Sequence, residues 1–92
     1  MIFSHTILVK KNTQKDVYKW TGLLGNSVCF AFRTPDGTPG KVHMYRKIDP
    51  GSDQKDLGIH IGSLYFRAKE AEYDIRVEAI DTDVYVDIRK DK

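Results

Sequence analysis

Leu64–Arg89, LYFRAKEAEYDIRVEAIDTDVYVDIR, is the stretch that decides the fold class. Leu64, Phe66 and Ala68 share one parity, while Ser63, Tyr65, Arg67 and Lys69 share the other. Beyond the polar punctuation of Glu70–Glu72, Tyr73, Ile75, Val77 and Ala79 alternate with Asp74, Arg76 and Glu78. Asp81–Asp83 reads as a turn, after which Val84, Val86 and Ile88 alternate with Tyr85, Asp87 and Arg89. A period of two sends successive side chains to opposite faces of a pleated strand, so the stretch predicts three consecutive half-buried antiparallel strands.

The same reading extends toward the N-terminus. Ile2–Val9 is a predicted strand with apolar residues on both parities, followed by the polar loop Lys10–Lys15. Asp16–Leu24 carries the β-favouring Val17, Tyr18, Trp20 and Thr21 and is cut by Gly22 and Gly25, which favours an irregular strand over a short helix. Val28, Phe30 and Phe32 alternate with Ser27, Cys29, Ala31 and Arg33. Pro35–Gly40 reads as a turn, because proline presets one corner and glycine accepts positive φ at another. Val42, Met44 and Ile48 then return as the partner strand, and Leu57, Ile59 and Ile61 resume the alternation after the polar loop opened by Asp49–Asp53.

About seven short strands with turn signals between them predict an all-β chain, residues 1–92 forming one antiparallel β-sandwich; a small OB-like barrel is the alternative. The predicted core is Val28, Phe30, Phe32, Val42, Met44, Ile59, Ile61, Leu64, Phe66, Tyr73, Ile75, Val77, Val84, Val86 and Ile88.

The closing segments, Ser63–Ala68, Glu72–Ala79 and Val84–Ile88, resemble the last strands of small jelly-roll sandwiches of the bacterial pre-peptidase C-terminal-domain type. In those, a Tyr-x-aliphatic-x-Val strand precedes a short final strand of alternating aliphatics. Ala71-Glu72 stands where that family has glycine, and Val84 where an aromatic residue opens the last strand. The resemblance implies a jelly-roll-like sandwich and a non-catalytic accessory or binding role.

Composition narrows the function classes. At 92 residues, 40% hydrophobic and 30% charged, the chain suffices for one modest core. No apolar run reaches the roughly 18 residues a membrane helix needs, and MIFSHTILVKK lacks the layout of a signal peptide. The single cysteine, Cys29, cannot form an internal disulfide. Synthesis in the cytoplasm is the expectation, with assembly into a virion equally compatible. Net charge is +2, but residues 1–69 carry +6 and residues 70–92 carry −4. This gives a thin electrostatic footprint for nucleic acid, with no dense basic stripe.

Candidate chemistry is sparse. His5, His43 and His60 lack metal-ligand spacing, so no metal or cofactor is expected. Cys29 has no local base and reads as packing. Asp49, Asp53 and Asp56 lack the EF-hand pattern and read as solvated turn formers. No catalytic constellation assembles, so the chain reads as a non-enzyme.

The candidate binding surface is the outward row Lys41, His43, Tyr45 and Lys47, joined by Tyr65 and Arg67 from another strand. An ordinary solvated sheet face gives the same pattern. The candidate interface is Ile2, Phe3, Ile7, Leu8 and Val9, expected to add to a sheet edge or lie against a neighbouring chain. Together these predict a structural or binding module, such as a decoration or accessory protein of a phage or virus particle, whose partner is itself or a symmetric scaffold. The alternatives are a nucleic-acid-binding barrel and an inhibitor or adaptor of one enzyme.

Overall fold

A computed structural model describes residues 5–20, 27–47, 54–67 and 73–91, the side chains of Trp20, Phe66, Arg67, Tyr73, Lys90 and Asp91 excepted. These residues form eight strands: β1 (His5–Val9), β2 (Gln14–Trp20), β3 (Ser27–Arg33), β4 (Lys41–Lys47), β5 (Gln54–Ile61), β6 (Ser63–Arg67), β7 (Tyr73–Ala79) and β8 (Val84–Asp91). They pair antiparallel in two four-stranded sheets, ordered β1-β8-β3-β6 and β2-β7-β4-β5. No helix occurs among the described residues.

The chain is therefore a β-sandwich, and the two strand orders are those of a jelly roll. Two sheets with distinct edges take the place of the barrel alternative, and eight strands among the described residues agree with the about seven expected.

Alternation reports which face a residue takes, and it says nothing about which strand lies alongside. One pairing expected from the sequence, β3 with β4, is corrected accordingly, and one strand boundary shifts. The last three strands do not pair with one another: β6 and β8 both flank β3, while β7 belongs to the second sheet. The Pro35–Gly40 turn forms, with Thr34 N–H donating to Thr38 O and Gly37 at φ +86°. It carries the chain across the sandwich, however, so β4 is not the partner of β3. The irregular strand expected at Asp16–Leu24 is β2, shifted to begin at Gln14; residues 21–24 lie outside the described set.

The core is filled by the inward parity of both sheets. Val28, Phe30, Phe32, Val42, Met44, Ile75, Val77, Val84, Val86 and Ile88 are buried as expected, joined by Val9, Val17 and Ala79. Phe30 stacks on Phe32 at 6.3 Å between ring centroids, and Tyr18 meets Phe30 edge-on at 6.1 Å. Val17 and the half-buried Tyr18 both face this core because β2 bulges between Asp16 and Tyr18, turning two successive residues inward. Leu64 is only partly buried against the core, and the side chains of Phe66 and Tyr73 lie outside the described set.

Ile59 and Ile61 are corrections. They are 54% and 64% exposed, because β5 bulges at Leu57-Gly58. His43 pairs with Ile59 and Tyr45 with Asp56, so Met44 alone opposes two residues of β5. Gly58 at φ +90° supplies a backbone conformation that other residues rarely adopt. Leu57 points to the core, and past the extra residue the parity inverts, carrying both isoleucines to the outer face.

A glycine pair closes one end of the sandwich. Gly62 (φ +83°) alone separates β5 in one sheet from β6 in the other; its N–H donates to Gly40 O at 3.0 Å and its carbonyl accepts from Phe32 N–H at 2.8 Å. A Cβ on Gly40 would lie 2.9 Å from Val84 Cγ1 and 3.2 Å from Arg33 N, so only glycine fits this crossing unshifted.

Candidate docking face on the second sheet

The inverted parity of β5 gives the second sheet its unusual outer face. Residues directly opposite in the ladder share a face, so Ile61 lies beside Lys41, Ile59 beside His43 and Asp56 beside Tyr45. Across β4 the rows continue onto β7, with Glu78 beside His43, Arg76 beside Tyr45 and Asp74 beside Lys47. The expected row Lys41, His43, Tyr45 and Lys47 is thus in place, each half-buried on the outer face of one strand.

Polar contacts organise the row. The His43 and Tyr45 rings stack with centroids 4.4 Å apart. His43 Nε2–H donates to Asp56 Oδ1 at 2.8 Å, and the Gly58 N–H donates to the same oxygen at 2.6 Å. The His43 hydrogen bond, then that of Gly58, hold the Asp56 carboxyl below the usual carboxylate range. Asp56 thereby ties the bulge to β4. His60 Nε2–H donates to Leu57 O at 2.9 Å, satisfying a second backbone group of the bulge.

Tyr45 OH donates to Glu78 Oε1 at 3.4 Å; burial first, and the carboxylates of Glu78 and Asp56 after it, push the phenol up. Beyond Tyr45, Arg76 bonds Asp16 at 2.7 Å and Gln54 at 3.3 Å. These contacts fix the polar side chains in the plane of the face and leave Ile59 and Ile61 projecting from it. The face offers apolar area with a polar surround, which suits contact with another protein surface.

The other expected site residues are dispersed. Tyr65, 61% exposed, stands on β6 opposite Cys29, and Arg67 pairs with Ser27, both in the first sheet and so on the far side of the sandwich from Lys41–Lys47. The six residues expected to form one surface therefore divide between the sheets, four on the second and two on the first.

Within the expected interface, Ile2 and Phe3 lie outside the described set. Ile7 packs against the core, Val9 is fully buried, and Leu8 is half-buried. Of the two roles expected for this segment, β1 fills the first within its own chain, adding to the edge of β8. Asp49 and Asp53 lie outside the described residues, and Asp56 is engaged by His43 and Gly58. Among the described residues no group of three or more His, Cys, Asp or Glu side chains could hold a metal ion, and no helix is long and apolar enough to cross a membrane.

Sequence reasoning overlooked the exposure of Ile59 and Ile61, although a signal was present. A lone glycine inside an alternating run marks a bulge, and an Asp two residues before it can accept the glycine's N–H. A scan of protein-family models finds no match to this chain, and a search of curated proteins finds none either.

Proposed function

We propose that this chain is a non-catalytic binding module that works by assembly, as a small structural or accessory component of a virus or phage particle. The observation that carries the reading is the pair of isoleucines that the β5 bulge turns outward beside the His43–Tyr45 stack. Exposing two large aliphatic side chains on an otherwise polar face costs solubility, and contact with a protein partner offsets that cost. The jelly-roll order supports the setting, since capsid domains use it; lectins and cupins use it too, so the exposed pair carries more weight than the topology.

The test is add-back to particles assembled without the chain. A fixed number of copies per symmetry unit is expected, with binding lost for Ile59→Lys and Ile61→Lys while the folded state is kept. Retention on DNA or RNA that falls steeply with salt, together with no affinity for any particle, would replace this reading with the nucleic-acid one.

A further inference from the structure

Resting on that assembly reading for its setting, we infer that β1 is an exchangeable strand: two copies of this chain join by each laying its His5–Val9 segment beside the other's β8. Two observations carry this arrangement.

The first is how β1 is held. Among the described residues it pairs with β8 and no other strand, in unbroken register from His5 opposite Ile88 to Val9 opposite Val84. Val9 is fully buried and Ile7 packs against the core, while the Thr6 hydroxyl donates to Asp87 Oδ1 at 2.6 Å and Lys10 Nζ lies 3.7 Å from Asp83. The lane beside β8 is therefore fitted to this one sequence, and an empty lane would uncover the core. The same strand from a second copy meets every one of these requirements, because it is identical and enters in the same register.

The second is the hinge. Only residues 10–13 separate β1 in the first sheet from β2 in the other. Their bend turns on Asn12, whose φ of +61° is left-handed although the residue is not glycine; Asn12 N–H donates to Ala79 O at 3.0 Å, and Thr13 N–H to Lys10 O at 3.1 Å. Extending Asn12 to an ordinary negative φ directs β1 away from its own β8 and relieves that backbone. The Lys11 N–H, which donates to Asp83 Oδ1 at 2.7 Å, lies on the β1 side of Asn12, so this bond passes to the second copy together with the strand.

Reciprocal exchange uses both β1 strands and closes about a two-fold axis. Every β1 contact of the single chain is kept, so association depends on the hinge and on how close the copies are, which favours the exchanged form where many are held together.

A mixed cross-link reads the exchange. Leu8 and Tyr85 are ladder partners, both half-buried on the outer face of the first sheet. One chain carrying Leu8→Cys and another carrying Tyr85→Cys, both with Cys29→Ser, are mixed at about 1 mM and mildly oxidised. A disulfide-linked heterodimer is expected in about tenfold excess over either linked homodimer, because only β1 of one chain beside β8 of the other brings the two thiols into bonding distance. Sedimentation velocity of chains altered at the hinge alone gives an independent measure. Asn12→Val, β-branched and ill-suited to positive φ, is expected to raise the dimer fraction about tenfold, and Asn12→Gly to lower it. A heterodimer no more abundant than the homodimers overturns the exchange, and a dimer fraction indifferent to both Asn12 substitutions overturns the hinge. Particle binding that is lost for Ile59→Lys but accompanied by no exchange leaves the assembly reading standing without this inference, whereas exchange without any particle binding removes the assembly reading alone.

Discussion

On the first sheet, the outward residues of β8 and β3 are spent on one another. Arg33 Nε–H donates to Asp87 Oδ2 at 2.9 Å, the Thr6 hydroxyl donates to Asp87 Oδ1 at 2.6 Å, and the Arg33 guanidinium lies 4.7 Å from the centre of the Tyr85 ring. Asp87, although on the outward parity, is only 8% exposed. On the second sheet the central acceptor is Asp56, whose side chain is 62% exposed, and two isoleucines stand clear of the network around it. An aspartate thus anchors a network on each face, closed over at β8 and open at β5. What differs is the strand: β8 pairs in unbroken register between β1 and β3, whereas β5 is a bulged edge. Burial of the acceptor decides whether a cross-strand ion pair contributes to stability, since a solvated pair is worth little.

The largest effect is expected beneath both faces. Phe30→Ala removes a fully buried ring that touches Phe32 and Tyr18, and should cost about 3–5 kcal/mol in urea unfolding. If either face melted separately from the core, the two sheets would not be one cooperative unit, and the comparison would have to be made sheet by sheet.

Next comes Asp87→Ala, expected to cost about 1–3 kcal/mol because Arg33 and Thr6 lose their shared acceptor. The acid limb of the stability curve sharpens this expectation. Burial pushes the Asp87 carboxyl up, but the hydrogen bonds of Arg33 and Thr6, with the Arg33 charge, outweigh it and hold the carboxyl below its usual range. A depressed folded pKa stabilises above the unfolded carboxylate value, near 3.9, and that stabilisation is lost as pH falls through the folded one. Asp87→Asn should therefore flatten the acid-side loss of stability. An unchanged acid limb would mean that the first face is held by packing alone.

Asp56→Ala should cost less than Asp87→Ala, because the Asp56 carboxylate is largely in solvent and water replaces the lost contacts. Its readout is local: amide exchange at Gly58 should accelerate while that of β3 stays slow. Smallest of all, Ile61→Thr should move the melting free energy by no more than about 0.5 kcal/mol. A large loss would show Ile61 to be structural and the open face to be an illusion.

Those contrasts also show what the chain discloses before it folds. The alternation of β3, β4, β7 and β8 is legible in the sequence because none of the four carries an extra residue in its own run, the bulges lying in β2 and β5, so the parity read from Val28 or Val84 holds along the strand. In β5 the parity is lost at a single residue: Gly58 flips everything after it, and a period-two reading assigns Ile59 and Ile61 to the wrong side. Strand partners were illegible for another reason. Among the described strands only β4 and β5 are both consecutive and adjacent; the other connections cross between sheets, and a turn sequence such as Pro35–Gly40 looks the same whether it closes a hairpin or a crossing. Of the candidate site, the Lys41–Lys47 row could be read from the sequence, and its apolar half could not.

The position of β8 has a consequence for how the protein is made. It is the last of the eight strands in chain order, yet it lies between β1 and β3 and is the partner on which β1 depends. While the chain is being synthesised, the first sheet consists of the β3–β6 pair and a β1 strand parted from it by an empty lane, and β1 waits for its ladder until six further strands and then β8 have been translated. Pairing across such sequence distances is slow, and unfilled strand edges are sticky in the interval. The growing polypeptide is therefore most exposed to intermolecular strand capture just before Val84 emerges, and arrival of the final strand converts it in one step into a sheet with a closed centre.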